Sequence, residues 1–220
     1  MSATVDVRGE AMLLFAERAA FWVGGSTLLV ADPHFGKAAT FRAAGIPVPR
    51  GTTADGLTRL DALLARTAAR RIVFLGDFLH AREGRAPATL EAVRAWREAH
   101  SEVAMVVVRG NHDRHAGDAP PELGITSING PIVEPPFVFA HHPAASESGY
   151  VFAGHLHPSV DLTGQARQRV RLPCFWLGSN AAVLPAFGDF TGLASVTPMI
   201  GDRVFVVADD QIVELERAAK

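Results

Sequence analysis

Apolar residues in the first half of the chain follow two rhythms. Short β-branched and aliphatic runs at 11–15, 21–23, 27–31, 71–75 and 104–108 are bounded by glycine, charged or turn residues and predict buried strands. Between them the spacing becomes helical. Leu57, Leu60, Leu63 and Leu64 recur at three- and four-residue intervals while Arg59, Asp61 and Arg66 fall elsewhere, which predicts an amphipathic helix opening at Thr53. Leu90, Val93, Ala95 and Trp96 mark the inner side of a second helix over 89–100. A shorter helix is expected over 38–43, and the glycines and prolines of 45–51 predict a loop. This strand–helix alternation implies parallel strands with right-handed crossovers.

The second half changes character. Runs at 137–140, 150–153, 170–172, 175–177 and 204–208 predict strands separated by loops rich in glycine and proline, with little helix. A second, more antiparallel sheet packed on the first is expected, with helices outside. There is no internal repeat, heptad stretch or low-complexity segment, and 220 residues suit a single domain spanning 1–220.

Composition narrows the function classes. Hydrophobic residues make up 48% and charged residues 20%, enough for a large core and against disorder. A net charge of −2 and a pI near 6.5 argue against a strongly basic nucleic-acid-coating protein, though a local basic groove is compatible with them. The lone cysteine, Cys174, excludes an internal disulfide, reads as a small buried hydrophobe, and suits a reducing cytoplasm. Glu10 and Glu17 interrupt the N-terminal apolar character, and 19–31 is too short and too broken by Gly24-Gly25-Ser26-Thr27 to span a bilayer. A soluble cytoplasmic protein without a membrane segment is expected.

The chemistry lies in five clusters: Asp32-Pro33-His34, Gly76-Asp77, Gly110-Asn111-His112-Asp113, His141-His142-Pro143 and Gly154-His155-Leu156-His157. Each lies at or just after an apolar run, where a parallel α/β sheet places its chemistry, beyond the carboxyl ends of the strands. Two divalent ions about 3.5–4 Å apart share a bridging hydroxide and clamp a phosphoryl group during in-line attack. Such a site needs a hard bridging carboxylate and mixed oxygen and nitrogen ligands. Asp77, alone after a buried strand, is the natural bridge. Asp32 and His34, like His155 and His157, are two residues apart and can converge on one ion or serve two adjacent ions.

In this order the clusters resemble the calcineurin-like metallophosphoesterase superfamily. The resemblance implies a four-layer α/β/β/α sandwich of two mixed sheets flanked by helices. It implies that Asp32, His34, Asp77 and His157 hold one ion and that Asp77, Asn111, His141 and His155 hold the other. His141 rather than His142 matches because the family's ligand stands two residues before the proline. His112 faces the substrate and protonates the leaving oxygen, with Asp113 orienting or charging it. Asn111 doubles as a substrate contact. His80, three residues beyond Asp77, falls near the metal rim and is a candidate substrate contact, as is Arg82.

Other residues have two readings. Arg42, Arg50, Arg82, Arg85, Arg109 and Arg114 sit in loops near the expected cleft, where guanidinium forks suit phosphate but charged loops are commonly just solvated. Arg167, Arg169 and Arg171 alternate along a strand as its wet face, or track a phosphate backbone. His100, closing a helix, and His115 read as surface residues, and Trp22, Trp96 and Trp176 as core or rim aromatics.

More local text resembles one bacterial branch, the PdeM-type ligase-associated DNA damage response endonucleases. Asp32-Pro33-His34-Phe35-Gly36-Lys37, Phe41-Arg42, Gly45-Ile46-Pro47-Val48-Pro49, Leu75-Gly76-Asp77-Phe78-Leu79-His80-Ala81-Arg82 and Leu184-Pro185-Ala186-Phe187-Gly188-Asp189-Phe190-Thr191-Gly192 carry it. This implies a cytoplasmic phosphodiesterase that cuts DNA, single strands included, with manganese and alongside a DNA ligase and a helicase. Mixed ligation also fits Fe, Co or Zn. The alternative is a phosphoesterase for small nucleotides or other soluble esters. A non-catalytic module is disfavoured, since every ligand position is filled.

Overall fold

The computed structural model describes residues 1–49, 51–163 and 168–215. Its first sheet is laid out in chain order: β1 (Ser2–Val7), β2 (Glu10–Phe15), β3 (Ala19–Trp22), β4 (Thr27–Val30), β5 (Arg71–Phe74), β6 (Ala104–Val108) and β7 (Thr126–Ile128). β1 to β4 form an antiparallel meander, and β4 to β7 are parallel. The crossovers carry α1 (Lys37–Ala43) and α2 (Thr52–Thr67), then α3 (Pro87–Ala99), then the short α4 (Asn111–Ala116). The second sheet contains β8 (Ile132–Glu134), β9 (Phe137–Phe139), β10 (Tyr150–Ala153), β11 (Pro158–Thr163), β12 (Arg169–Leu177), β13 (Ala181–Val183), β14 (Ala194–Ser195), β15 (Arg203–Ala208) and β16 (Gln211–Glu214). Its spatial order is β14-β11-β12-β13-β10-β9-β8, with β15 on β12 and β16 on β15. Antiparallel pairings predominate, as expected, but β9 and β13 flank β10 in parallel.

The pleat explains the layering, because alternate residues of a strand face opposite ways. Leu28, Val30, Ile72 and Phe74 face the helices, against Leu57, Leu60 and Leu63 of α2 and Val93 and Trp96 of α3. Leu29, Val73 and Leu75 face the other way and meet Phe137, Phe139, Phe152 and Phe175 of the second sheet. Phe152 stands edge-on to Phe137, with centroids 5.0 Å apart. Phe152→Ala is expected to cost about 3–5 kcal/mol by emptying this layer, read as a lower urea midpoint. On the far side of the second sheet lie smaller clusters, Val160 with Cys174, Val204 and Val206, and Val138 with Val151 and Ala153. Among the described residues no helix is long and apolar enough to cross a membrane.

Most expected elements form within a residue or two of their place. Cys174 is fully buried, Trp96 is buried, and Trp22 and Trp176 are partly so. Arg169 and Arg171 face solvent, Arg171 forking onto Asp161, while Arg167 lies outside the described residues, as does Arg50. The expected strands at 170–172 and 175–177 are one strand, β12, which runs through Pro173. β12 pairs with β11 up to Pro173 and with β15 from Cys174 onward. The imide thus falls where the strand changes neighbours, a position at which a missing N–H is tolerated.

Candidate metal centre and active site

The chemistry-bearing residues leave the carboxyl ends of strands that run parallel to a neighbour. Asp32 follows β4, Asp77 follows β5, Asn111 follows β6, His141 follows β9, and His155 and His157 follow β10. Their side chains converge because the backbone turns sharply there. Asp32, His34, Asp77, His155 and His157 all have positive φ, between 47° and 69°. Each such residue costs of order 1–3 kcal/mol and persists only where the surroundings enforce it. The i, i+2 pairs therefore meet through left-handed turns, not along an extended strand.

Glycines make the close approach feasible. A Cβ at Gly76, whose φ is 89°, would stand 2.1 Å from His141 Nδ1. One at Gly110 would stand 2.2 Å from Asp77 Oδ1, and one at Gly154 2.5 Å from Asp32 Oδ2. In these three clusters the opening glycine thus packs against a ligand candidate from another cluster. Gly76→Ala is expected to displace His141 and lower metal affinity about 10–100-fold, as loss of a supporting contact does; calorimetric titration with Mn²⁺ would check it.

The donor set fits a cation because lone pairs point at lone pairs. His141 donates its Nδ1–H to the Leu75 carbonyl at 2.9 Å, which leaves Nε2 unprotonated. That nitrogen lies 3.0 Å from Asn111 Oδ1, 3.1 Å from His155 Nδ1 and 3.7 Å from Asp77 Oδ2. His157 donates Nδ1–H to the Gly192 carbonyl at 3.0 Å and turns Nε2 toward Asp32 Oδ2, 3.6 Å away. His34 Nε2 lies 4.0 Å from Asp77 Oδ2. Asp32 Oδ1, His34 Nε2 and His157 Nε2 are buried with no hydrogen-bond partner in the structure. Buried acceptors are normally satisfied, and a divalent cation satisfies several at once. Asp32, His34 and His157 bring donor atoms within 4.8 Å of one another, as do Asp32, Asp77 and His141, and His141, His142 and His155.

Burial sets the protonation states. It lowers the pKa of His34, His155 and His157 and brings His141 down to about 4. Neutral imidazole is the ligating form. Burial, then the Asp77 charge, raises Asp32 well above its usual value. Depressed imidazole pKa values give stability that is present above about 6.5 and lost as pH falls toward about 4. The raised carboxylates, Asp32 and Asp113, act in the opposite sense, their contribution being lost as pH rises through their folded pKa, but the imidazoles outnumber them. The metal-free protein is therefore expected to unfold at lower urea concentration at pH 4.5 than at pH 7; equal midpoints would contradict neutral burial of the imidazoles.

His112 stands beside this group. Its backbone N–H donates to Asp77 Oδ1 at 2.8 Å, and its Nδ1–H donates to the His80 carbonyl at 2.7 Å. Nε2 is left for a ligand. The ring stacks on His80 with centroids 4.8 Å apart and lies 5.0 Å from that of His34. His80 is half-buried, its Nδ1 is 3.4 Å from His34 Nδ1, and burial takes its pKa down to about 4.

Two expectations need correction. Asp113 does not bond to His112. It is 4% exposed, and its carboxylate accepts the N–H groups of Asp77, Phe78, Leu79 and Gly110 at 2.8–3.4 Å. It ties the loop after β5 to the loop after β6, and the His80 carbonyl orients His112 instead. Arg82 is exposed, and its Nε donates to the His115 carbonyl, which braces α4 rather than lining the metal group. Other loop arginines are likewise occupied: Arg85 on the Ala116 and Asp118 carbonyls, Arg109 on the Asp118 carboxylate, Arg42 on the Pro49 carbonyl. Arg114 and His115 are exposed, and His100 pairs with Asp61 at the end of α3.

Sequence reading marked 184–192 only by its resemblance and assigned it no place in the site, which it closes from the far side. Phe187 N–H donates to the Ala31 carbonyl, Gly188 N–H to the Asp32 carbonyl, and the Gly192 carbonyl holds His157. Arg18 and Arg59 brace this segment through Asp189. It also passed over Lys37, a half-buried ammonium near Asp32 and Asp77, whose pKa is lowered by burial. Its place three residues after His34, at the head of a helix, was the available signal.

The calcineurin-like phosphoesterase family model matches residues 25–176. The crystal structure of the nuclease MPE from Pseudomonas putida superposes with a TM-score of 0.87 at 41% identity, covering 98% of this chain and 100% of that one. Two others align at a TM-score of 0.41. The protein AQ665 of Aquifex aeolicus is 18% identical over 60% of this chain and 78% of its own, and the phosphoesterase Yfce of E. coli 16% over 86% and 97%. No curated protein matches significantly. With buried carboxylates and neutral imidazoles converging beyond the strand ends, and with that family match and near-full-length likeness, the chain belongs to the calcineurin-like phosphoesterases and is a metal-dependent phosphoester hydrolase.

Proposed function

We propose that the protein is a dinuclear-metal phosphodiesterase that cuts DNA, with residues 1–220 acting as one phosphoesterase domain. The observation that carries the substrate class is the 41% identity, over almost the whole chain, to a nuclease. In this reading Asp32, His34, Asp77 and His157 hold one ion, and Asp77, Asn111, His141 and His155 the other. When bound, such ions supply an activated water and neutralise charge gathering at phosphorus. The chain does the rest. Asp77 spans both donor groups and also fixes His112 through its backbone N–H. His112 keeps its Nδ1 proton on the His80 carbonyl and, as the general acid, offers one from Nε2 to the leaving oxygen. Asn111, His112 and His80 border the space where the phosphate sits, and Lys37 adds a positive charge there. Manganese as the native metal, a cytoplasmic setting and work in DNA repair beside a ligase and a helicase complete the proposal.

The test is a metal-swap assay on single-stranded DNA, bis(p-nitrophenyl) phosphate and nucleoside monophosphates. Manganese-dependent DNA incision that chelation abolishes is the expected result. Intact DNA under strong monoester turnover would replace the nuclease with a phosphoesterase for small nucleotides.

A further inference from the structure

His141 and His142 are adjacent in sequence but belong to different surroundings. His141 is buried in the metal group; His142 is exposed, with its ring centroid 4.1 Å from that of His155. Both line a groove of about 320 Å³ that runs away from the metal group along the outer side of β9 and β10. Its floor is apolar, made by Val138 and Val151, which belong to a buried cluster, with Ala140 packed against it. At its rim the Arg114 guanidinium is exposed, and Arg109 stands beside it with its charge paired by the Asp118 carboxylate.

We propose that this groove is a nucleobase subsite for the nucleotide next to the scissile phosphate. The inference rests on the nuclease reading above and adds what the enzyme grips besides phosphate. Three observations commit it to a nucleobase. The groove shares His141 with the metal group, so an occupant of it lies beside the phosphate being cut. Its volume lies at the low end of the roughly 300–1,000 Å³ typical of small-ligand sites, the scale of one nucleoside and too small for a duplex. Its make-up, an apolar floor with the exposed His142 imidazole and the Arg114 guanidinium at the edge, supplies the planar groups against which an unstacked base lies. A base must leave its duplex to enter, so the subsite selects unpaired nucleotides.

The experiment uses the manganese-loaded protein and an oligonucleotide carrying one stable abasic residue at a defined position. Incision of the phosphates flanking that residue is expected to fall about tenfold against the same phosphates in the parent oligonucleotide, the scale of one lost stacking contact. A phenyl ring introduced into the groove at the exposed Ala144 (A144F) is expected to bring that ratio close to one. Ala145→Phe, also exposed, repeats the test should the first variant misfold. A 5-iodouridine oligonucleotide is expected to photo-crosslink to the peptide bearing His142 and Ala144, a readout independent of turnover. Equal cutting at base and abasic positions, or crosslinks confined to other peptides, would overturn the subsite and leave the nuclease standing. Hydrolysis of bis(p-nitrophenyl) phosphate with no DNA incision would overturn both.

Discussion

Asp77→Asn is expected to cut phosphodiester turnover by at least about a thousandfold, equivalent to roughly 4 kcal/mol of lost transition-state stabilisation. Asparagine keeps the shape and the acceptor for the His112 N–H. It removes a negative charge that faces both donor groups, with Oδ2 at 3.7 Å from His141 and 4.0 Å from His34. The same substitution should stabilise the metal-free protein by about 1 kcal/mol, because Asp77 is the charge that, after burial itself, most disfavours an ionised Asp32. A site that repels itself when empty is held together by what it binds. Wild-type protein at a hundred times Kd of Mn²⁺ gains about 2.7 kcal/mol, and the variant should lose most of that gain. Thermal melts with and without Mn²⁺, beside turnover on bis(p-nitrophenyl) phosphate, read both effects. Near-normal turnover, or an undiminished Mn²⁺ shift, would remove Asp77 from the centre of the site.

What the chain disclosed on inspection follows from how its parts are buried. β4, β5 and β6 are covered by helices on one side and by the second sheet on the other, so they read as unbroken apolar runs. The polar residues just beyond them stand out by contrast, and that contrast exposed Asp32, Asp77 and Asn111. β1 was overlooked because it is an edge strand whose buried positions are only Val5 and Val7, the rest being exposed or half so. β14 is two residues long and held by pairing to β11, which no local pattern records. In the site, residue types were legible and conformations were not. Nothing in Asp-Pro-His or His-Leu-His announces left-handed backbone. Asp113 looked like a partner for its neighbour His112, yet its oxygens face four backbone N–H groups, three of them more than thirty residues away in sequence. The hold of the Gly192 carbonyl on His157 spans 35 residues and is likewise a product of topology.

His112→Ala should separate two substrates that the metal group treats alike. An alkoxide leaving from a DNA phosphodiester needs a proton as its bond breaks, and removing a general acid typically costs about 10²–10⁴-fold. A p-nitrophenolate leaves without one, so the same variant should lose only about tenfold on bis(p-nitrophenyl) phosphate, that residual reflecting lost contacts to the phosphate. The comparison is clean because the contact that ties this residue to Asp77 comes from its backbone N–H, which alanine retains. Metal stoichiometry should therefore stay at the wild-type value, measured by elemental analysis of the two proteins together. The hydrogen bond from Nδ1 to the His80 carbonyl adds a control. His112→Gln restores polarity and reach but has no titrating proton, so it should rescue the aryl ester and not DNA. Equal losses on both substrates in His112→Ala, or rescue of both by glutamine, would make His112 a phosphate contact and leave the leaving oxygen to take its proton from water.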